Sequence, residues 1–321
     1  MMNEQKTEKK GKDLLLVRFQ TEILLVAILA VLFLFFGIKS PVFLKLDTLM
    51  KLLKQASIYG IIAIGMTFVI TSSGIDLSVG SVVGLSGIVV SMCMVRGVPV
   101  LVSVLLALGA SILVGVFNGA LIHDAKVPPF IATMASMTIV RNVILLITGA
   151  KTISDLPQSF TAFASGSFLG IPNMFLAWLA IILLGIFITG RTVFGRNIYA
   201  YGSNKESARL SGINVRKTVY GVYIFSALVC AIAGILMAAR LGNGVPTSGD
   251  GYELDAIAAS VVGGASLDGG EGSVFGTVLG AMIMATLRQG GTLLGINSFI
   301  MEIIIGSLIA IAVVIDKMRK R

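Results

Sequence analysis

Long apolar runs alternate with short polar segments along the whole chain. A helix needs about 20 apolar residues to cross a bilayer core, and the runs predict ten helical spans with boundaries good to a few residues. The spans are 20–37, 56–73, 77–95, 99–122, 129–149, 173–190, 218–239, 254–267, 273–290 and 296–315. The alternating pattern of an outer-membrane barrel is absent. We therefore expect an all-α polytopic membrane protein, because backbone polar groups in lipid must bond within their own segment.

Composition supports this class and sets an orientation. Of 321 residues, 56% are hydrophobic and 13% charged, against about 25% charged in a soluble domain. Ten spans place both termini on one side, and most lysines and arginines fall on that side, so it is the cytoplasm. The net charge of +9 thus indicates orientation and lipid contact rather than nucleic-acid binding. The first run lacks an A-x-A site and is long for a signal peptide, so it is expected to stay as the first helix.

These spans divide the chain into a cytoplasmic tail (1–19), one transmembrane domain (20–315) and a second cytoplasmic tail (316–321). Inside the domain a cytoplasmic loop covers 191–217. No catalytic residue and no metal site is expected. Cys93 and Cys230 lie in apolar segments, His123 has no spaced partner, and the sequence contains no H-E-x-x-H or G-x-S-x-G motif.

The chain resembles itself in three places. Asp76-x4-Ser81-Val-Val-Gly recurs at Asp255, Gly115-x3-Gly119-Ala recurs at Gly276, and "PFIAT" from Pro129 is echoed by "SFIME" from Ser298. The order is the same in both halves, but the corresponding spans run in opposite directions. The pattern predicts two inverted four-helix repeats, about 56–149 and 218–315. Such repeats are common in transporters, whose substrate sites tend to lie at the repeat interface.

In each half an aspartate heads a short helix rich in glycine and serine. One interpretation is that the aspartate caps the first turn. The other is that a polar helix, which lipid excludes, lines a route for a polar solute. Both interpretations stay open. The side chains assigned to this route are Asp76, Ser78, Ser81, Asn118, Arg141, Glu253, Asp255, Ser260 and Glu302. The glycines assigned to close helix packing are Gly74, Gly80, Gly84, Gly115, Gly119, Gly276 and Gly280.

Two charges lie inside predicted spans at similar depths. Arg141 is in span five and Glu302 in span ten. A buried arginine is unfavourable unless it is paired or hydrated. We expect Arg141 and Glu302 to pair or to line one polar cavity, with the alternative that Arg141 reaches the outer headgroups.

The cytoplasmic loop carries signals for a short helix. Ser203-x-x-Glu206 fits a capping box, and Gly212 suits the position just past a helix end. A helix of about eight residues must pack either on its own spans or on a partner. The residues assigned to it are Ser203, Asn204, Lys205, Glu206, Ala208, Arg209, Leu210 and Gly212.

Three segments carry a resemblance to a known family. "SSGIDLSVGSVVGLSG", "GRNIYAYGSNKESARLSGINVRK" and "GYELDAIAASVVGGASLDGGEGSVFGTVLGA" closely resemble the permease subunits of bacterial ABC importers for ribose and related monosaccharides. The resemblance covers nearly the whole chain. It implies a fold like that of the vitamin B12 importer's permease, with ten helices per subunit. It also implies alternating access across the cytoplasmic (inner) membrane, and it makes the loop helix a coupling helix that docks on the ATPase.

The resemblance implies partners as well. They are a second copy of the chain, a cytoplasmic ABC ATPase and an extracytoplasmic sugar-binding protein, besides membrane lipids. The chain has no G-x4-G-K-[ST] motif, so no cofactor is expected on it, and ATP and Mg²⁺ belong to the separate ATPase. The chain is then a transport subunit and not an enzyme. A branched-chain amino acid permease and an ion-coupled secondary transporter are the alternatives, and the sequence does not name the sugar.

Overall fold

A computed structural model describes residues 20–319 of the protein; the predicted tail 1–19 and the last two residues of the second tail lie outside this range. The described chain is almost entirely helical. Its helices are α1 Gln20–Lys39, α2 Leu46–Thr71, α3 Val79–Val95, α4 Val100–Gly119, α5 Pro129–Thr148, α6 Gln158–Ser165, α7 Asn173–Arg191, α8 Val193–Ser203, α9 Lys205–Leu210, α10 Val215–Leu241, α11 Tyr252–Val262, α12 Val274–Leu293 and α13 Ser298–Arg319. A π-helical turn, Ala120–Asp124, follows α4, and strands β1 Ser167–Phe168 and β2 Ile171–Pro172 form one antiparallel hairpin.

Local signals fix several helix ends. Side-chain oxygens of Asn214 and Ser273 accept backbone N–H bonds at the starts of α10 and α12, as capping residues do. Gly149 and Gly242 adopt left-handed conformations just past α5 and α10. That conformation suits glycine because it has no Cβ. These helix ends are thus set by residue types that can be recognised in the sequence: Asn and Ser as N-caps, and Gly just past the last turn.

Two long helices, α2 and α10, form the centre of the subunit and are mostly buried. The α2 segment from Ile61 to Ile64 is fully buried, and Gly60 lies so close to the ring of Trp178 in α7 that a Cβ there would collide with it. In contrast, α1, α4 and α7 expose mostly aliphatic side chains. A helix that is apolar on its outer surface suits contact with lipid, so these three form part of the periphery.

The two halves of the chain pack across each other. The first central helix, α2, packs against α11 and α12 of the second half, while α10 packs against α3 and α4 of the first half. At the end of each half, α5 packs on α3 and α13 packs on α11. Neither half therefore forms its own core without helices from the other.

A helix overlaps each of the ten predicted spans. Within residues 20–319, seven helices are long and apolar enough to cross a membrane, namely α1, α2, α4 with its π-helical turn, α5, α7, α10 and α13. The chain is therefore a multi-pass membrane protein. Helix α11 ends at Val262, earlier than the predicted span 254–267, because Gly264 turns the chain at φ +94°. The count of ten crossings stays a prediction.

Candidate functional site

Asp76 lies in the loop between α2 and α3 and is buried. Its Oδ1 accepts hydrogen bonds from Ser78, from the backbone N–H at 3.0 Å and from the hydroxyl at 2.5 Å. Its Oδ2 accepts one from Ser226 Oγ of α10 at 3.0 Å. A buried carboxylate must be hydrogen-bonded to be tolerated. Neutral donors from both halves of the chain meet this need.

The Asp76 network continues into α4 and α5. Asn118 Nδ2 of α4 donates to Ser78 Oγ at 2.9 Å, and the hydroxyl of Ser136 in α5 donates to Asn118 Oδ1. Thr133 Oγ1 of α5 donates to the Ile75 carbonyl at 3.1 Å. The network therefore joins the α2–α3 loop to three helices, and three of the residues assigned from sequence, Asp76, Ser78 and Asn118, belong to it.

The predicted capping role holds in part for Asp76 and is wrong for Asp255. Asp76 bonds the N–H of Ser78, the residue just before α3. Asp255 lies in the first turn of α11, but its carboxylate is bonded to Arg288 instead. The same sequence motif thus carries two different bonding patterns, because only the second half places an arginine within reach.

Asp255, Arg288 and Glu302 form an ionic cluster that joins α11, α12 and α13. Arg288 Nη2 donates to Asp255 Oδ1 at 2.7 Å, and Nη1 donates to Glu302 Oε1 at 2.9 Å. The side chain of Asp255 is 3% exposed, that of Arg288 20% and that of Glu302 58%. The guanidinium also lies 5.9 Å from the ring centroid of Tyr59 in α2, a cation–π distance. Arg288 therefore holds four helices together.

The predicted pairing of Arg141 with Glu302 is wrong. Arg141 donates to the carbonyls of Pro246 and Ser248 at 2.7 and 2.9 Å and to that of Gly80 at 3.2 Å. It therefore bonds inside the protein and not at the outer headgroups. Equal depth predicted the pair, but depth does not specify which way a side chain points around its helix. Arg141 instead fixes the α10–α11 loop against α3.

The remaining route candidates have separate surroundings. Ser81 Oγ donates to the carbonyl of Ser78 at 2.8 Å. Ser260 Oγ donates to the carbonyl of Ala63 in α2 at 3.0 Å, and Thr67 Oγ1 donates to Ser260 Oγ at 3.1 Å. Glu253 lies beside Gly80, where a Cβ would come 2.5 Å from its Oε2. Ser260 therefore fixes α11 to the central helix α2.

All seven glycines assigned to packing lie at close approaches. A Cβ added at any of them would come within 3.0 Å of a neighbouring heavy atom. At Gly276 and Gly280 of α12 the neighbours are the backbone carbonyls of Gly263 and Ala259 at the end of α11. Backbone atoms cannot swing aside as a side-chain tip can, so these two positions require glycine.

The loop predicted to be cytoplasmic, 191–217, forms two helices, α8 and α9, where one of about eight residues was predicted. The capping box is wrong: Ser203 is the last residue of α8, and Asn204 Oδ1 caps α9 by accepting the Ser207 N–H at 2.8 Å. Asparagine caps as well as serine does, and it stands directly before the helix. The predicted stop at Gly212 is confirmed, since Gly212 has φ +80° and its N–H donates to the Arg209 carbonyl at 3.1 Å.

Helix α9 presents two different faces. Ala208 is buried, whereas Leu210 is 75% exposed. Arg209 donates to Glu206 at 2.6 Å through Nη2 and at 3.2 Å through Nε, and these hydrogen bonds lower the pKa of Glu206. Glu206 therefore stays ionised near neutral pH. The helix is thus packed on one side and offers an apolar side chain on the other.

A cavity of about 440 Å³ separates α9 from the turn that follows α4. The lining includes His123, Lys126, Lys205 and Arg209. Beside it, Asp124 accepts hydrogen bonds from Tyr220 Oη at 2.5 Å and from Arg216 Nη2 at 3.2 Å, which ties the turn to α10. The loop helix therefore lies next to a second connecting segment that is anchored to a central helix.

Comparison with known proteins places this arrangement in a family. Residues 48–313 match the family model described as "Branched-chain amino acid transport system / permease component". The chain belongs to this permease family.

Relatives of the permease include the ribose import permease protein RbsC of Bacillus subtilis (strain 168), 41% identical over 90% of each chain. The xylose transport system permease protein XylH of Escherichia coli (strain K12) is 35% identical over 95% of this chain and 93% of its own. Ribose import permease protein RbsC of Escherichia coli (strain K12) is 39% identical over 88% of this chain and 89% of its own. No solved structure matches the permease at a significant level.

Sequence reasoning missed several residues of these networks in the permease, namely Thr133, Ser136, Ser226 and Arg288. Ser226 and Ser136 are single hydroxyls in apolar spans, and nothing in the sequence separates them from serines that bond their own helix. Arg288 falls near the end of the predicted span 273–290 but was not assigned to the route, and it lies within α12. A guanidinium inside a helical run, with an aspartate that has no assigned partner in the neighbouring helix, is the signal that could have found it.

Proposed function

We propose that the protein is the transmembrane permease subunit of an ATP-driven importer of a monosaccharide such as ribose or xylose. The observation that carries this proposal is the identity of 35 to 41% with ribose and xylose permeases over about nine-tenths of each chain. The family description also names branched-chain amino acids. The relatives above carry sugar names, so the amino acid alternative is the less favoured one.

The proposed architecture has ten crossings and two inverted repeats, 56–149 and 218–315, as in the vitamin B12 importer's permease. The exchanged packing of the halves supports it, since α2 rests on α11 and α12 as α10 rests on α3 and α4. The three sequence echoes support it as well. In this arrangement α3, α11 and α12 cross together with the other seven spans.

The proposed route for sugar switches between outward and inward access. With the proposed orientation, Asp76 and its neutral network lie towards the cytoplasm, and the Asp255–Arg288–Glu302 cluster lies towards the outside. Each network makes contacts between helices of the two repeats. A movement of one repeat against the other must therefore rearrange the contacts of both networks. Weak polar contacts along such a route suit a sugar that has to be released quickly.

The proposed transporter contains other subunits besides this chain. A separate ABC ATPase, which uses ATP and Mg²⁺, docks on α9, and a second copy of the chain completes the route. An extracytoplasmic binding protein delivers the sugar. The exposed Leu210 supports docking at α9. A helix this short is not stable alone in water, and a partner protein that packs against Leu210 would stabilise it. The proposed location is the cytoplasmic membrane with both termini in the cytoplasm, which follows from the charge distribution.

The test is uptake by a reconstituted transporter. The permease is placed in proteoliposomes with an ABC ATPase and a sugar-binding protein from its own organism, and uptake of labelled ribose, xylose and leucine is followed. We expect ATP-dependent uptake of a monosaccharide, and none with an ATPase variant that cannot hydrolyse ATP. Uptake of leucine alone would contradict the proposal. So would ion-driven sugar uptake by the permease without the ATPase.

A further inference from the structure

Two of the seven membrane-crossing helices expose polar side chains away from their ends. On α5 these are Thr138 and Asn142, and on α13 they are Glu302 and Ser307. In the central turns of the described α1, α4 and α7, the exposed residues are apolar or glycine, and α2 and α10 are mostly buried there. The exposed polar positions are thus confined to the last helix of each half of the chain.

Thr138 and Ser307 occupy matching places. Each lies nine residues after the start of its helix, at Pro129 and Ser298. At a rise of 1.5 Å per residue this is about 14 Å, close to the middle of a hydrocarbon core of about 30 Å. Thr138 and Ser307 are 169 residues apart, and the same separation relates the starts of the echoed segments "PFIAT" and "SFIME". The two hydroxyls are therefore equivalent positions near the bilayer midplane.

Lipid offers no hydrogen-bond partner to the polar atoms of these side chains that the helix itself leaves unbonded. Thr138 Oγ1 donates to the Met134 carbonyl at 3.0 Å, and Asn142 Nδ2 donates to the Thr138 carbonyl at 2.8 Å. The exposed Asn142 amide still has its carbonyl oxygen and a second N–H to bond. In hydrocarbon an unbonded polar group is strongly unfavourable, so this face of α5 borders water or a polar solute.

We propose that Thr138, Asn142 and Ser307 form a midplane contact site for the transported neutral sugar, on a water-filled route that a second copy of the chain completes. The site rests on the proposed function and names residues for it. Hydroxyl and amide groups both donate and accept hydrogen bonds, as sugar hydroxyls do. The three side chains carry no charge, which suits a neutral polyhydroxylated ligand and brief contacts.

Cysteine accessibility tests the site in the assembled transporter in proteoliposomes. In a background carrying Cys93→Ser and Cys230→Ala that keeps sugar uptake, single cysteines replace Asn142 and Ser307. Leu113→Cys on α4, which is 69% exposed, is the lipid-facing control. The probe is the membrane-impermeant thiol reagent MTS-ethylsulfonate. We expect Asn142→Cys and Ser307→Cys to react at least about tenfold faster than Leu113→Cys, and transported sugar to slow the reaction.

The outcomes separate the site from the function. If both cysteines react as slowly as Leu113→Cys while the transporter still takes up sugar, this face is dry and the site is overturned. Fast reaction without protection by the transported sugar also overturns the site, because the route is then wet but makes no contact there. If the wild-type transporter takes up no sugar, the proposed function itself fails, and the sugar site fails with it. In a transporting background, Asn142→Ala is expected to change the ratio of ribose to xylose uptake, and an unchanged ratio would overturn the contact at Asn142.

Discussion

Replacing Arg288 with methionine removes the cation that bonds Asp255 in the ionic cluster. Methionine keeps the length of the arginine stem, so the change acts mainly on charge. Asp255 is 3% exposed and accepts its bond from Arg288 at 2.7 Å, so the variant leaves a buried carboxylate without its partner. Removing one member of a buried ion pair costs about 3–5 kcal/mol. We expect a loss of that size in the free energy of unfolding.

Glu302 provides the matched control. It bonds the same arginine at 2.9 Å, but its side chain is 58% exposed. An exposed ion pair contributes about 0–1 kcal/mol, so Glu302→Gln should lower the free energy of unfolding only slightly. The double variant Asp255→Leu with Arg288→Met replaces the buried pair by apolar groups. It should recover most of the loss, because a well-packed apolar pair is often as stable as a buried ion pair.

The measurement is denaturant unfolding of the four proteins in detergent micelles, with sugar uptake as a second readout. The order expected for the loss is Arg288→Met first, then the double variant, then Glu302→Gln. If Arg288→Met is no less stable than Glu302→Gln, the buried pair does not hold these helices. A double variant as unstable as Arg288→Met would show that packing, and not the unpaired charge, sets the loss.

Three further changes test other parts of the structure. Leu210→Asp should abolish sugar-stimulated ATP hydrolysis without lowering the amount of folded permease. Val193→Asp on α8, where the native side chain is 62% exposed against 75% for Leu210, should leave that hydrolysis intact. Equal effects of the two variants would contradict a docking role for α9. Gly280→Val should prevent α12 from packing on α11 and reduce the monodisperse fraction in size-exclusion chromatography, while Gly109→Val, which has open space, should not. Asp76→Asn should keep most of the sugar uptake because its amide can bond the same hydroxyls, and Asp76→Leu should lose it; the reverse order would mean that the charge itself is needed.

The positions of the helices could be predicted from the sequence because hydrophobic length is a local property. Each predicted span overlaps a helix, and the stop at Gly212 follows from the left-handed conformation that glycine favours. Choices between neighbouring residues of similar propensity were less predictable. Ser203 and Asn204 are both good caps, and the structure uses Asn204.

Long-range partners could not be predicted in the same way. Ser226 reaches Asp76 across 150 residues, and Arg141 turns to backbone carbonyls that carry no sequence signature. Such contacts depend on how each helix is rotated about its axis, and hydropathy gives only its depth. Asp76 and Asp255 occupy matching positions in the sequence repeat, but their different partners come from tertiary packing.

The buried centre of the subunit has a consequence for biosynthesis. Thr67 of α2 bonds Ser260 and lies 2.6 Å from Thr277 Oγ1, groups that follow it by 193 and 210 residues. At a translation rate of about 5–20 residues per second, Ser260 and Thr277 are synthesised roughly 10–40 s after Thr67. It is also the least hydrophobic of the seven long spans. The insertion machinery must shelter this helix until the second half emerges, so chains truncated before residue 215 should be degraded rather than accumulate in the membrane.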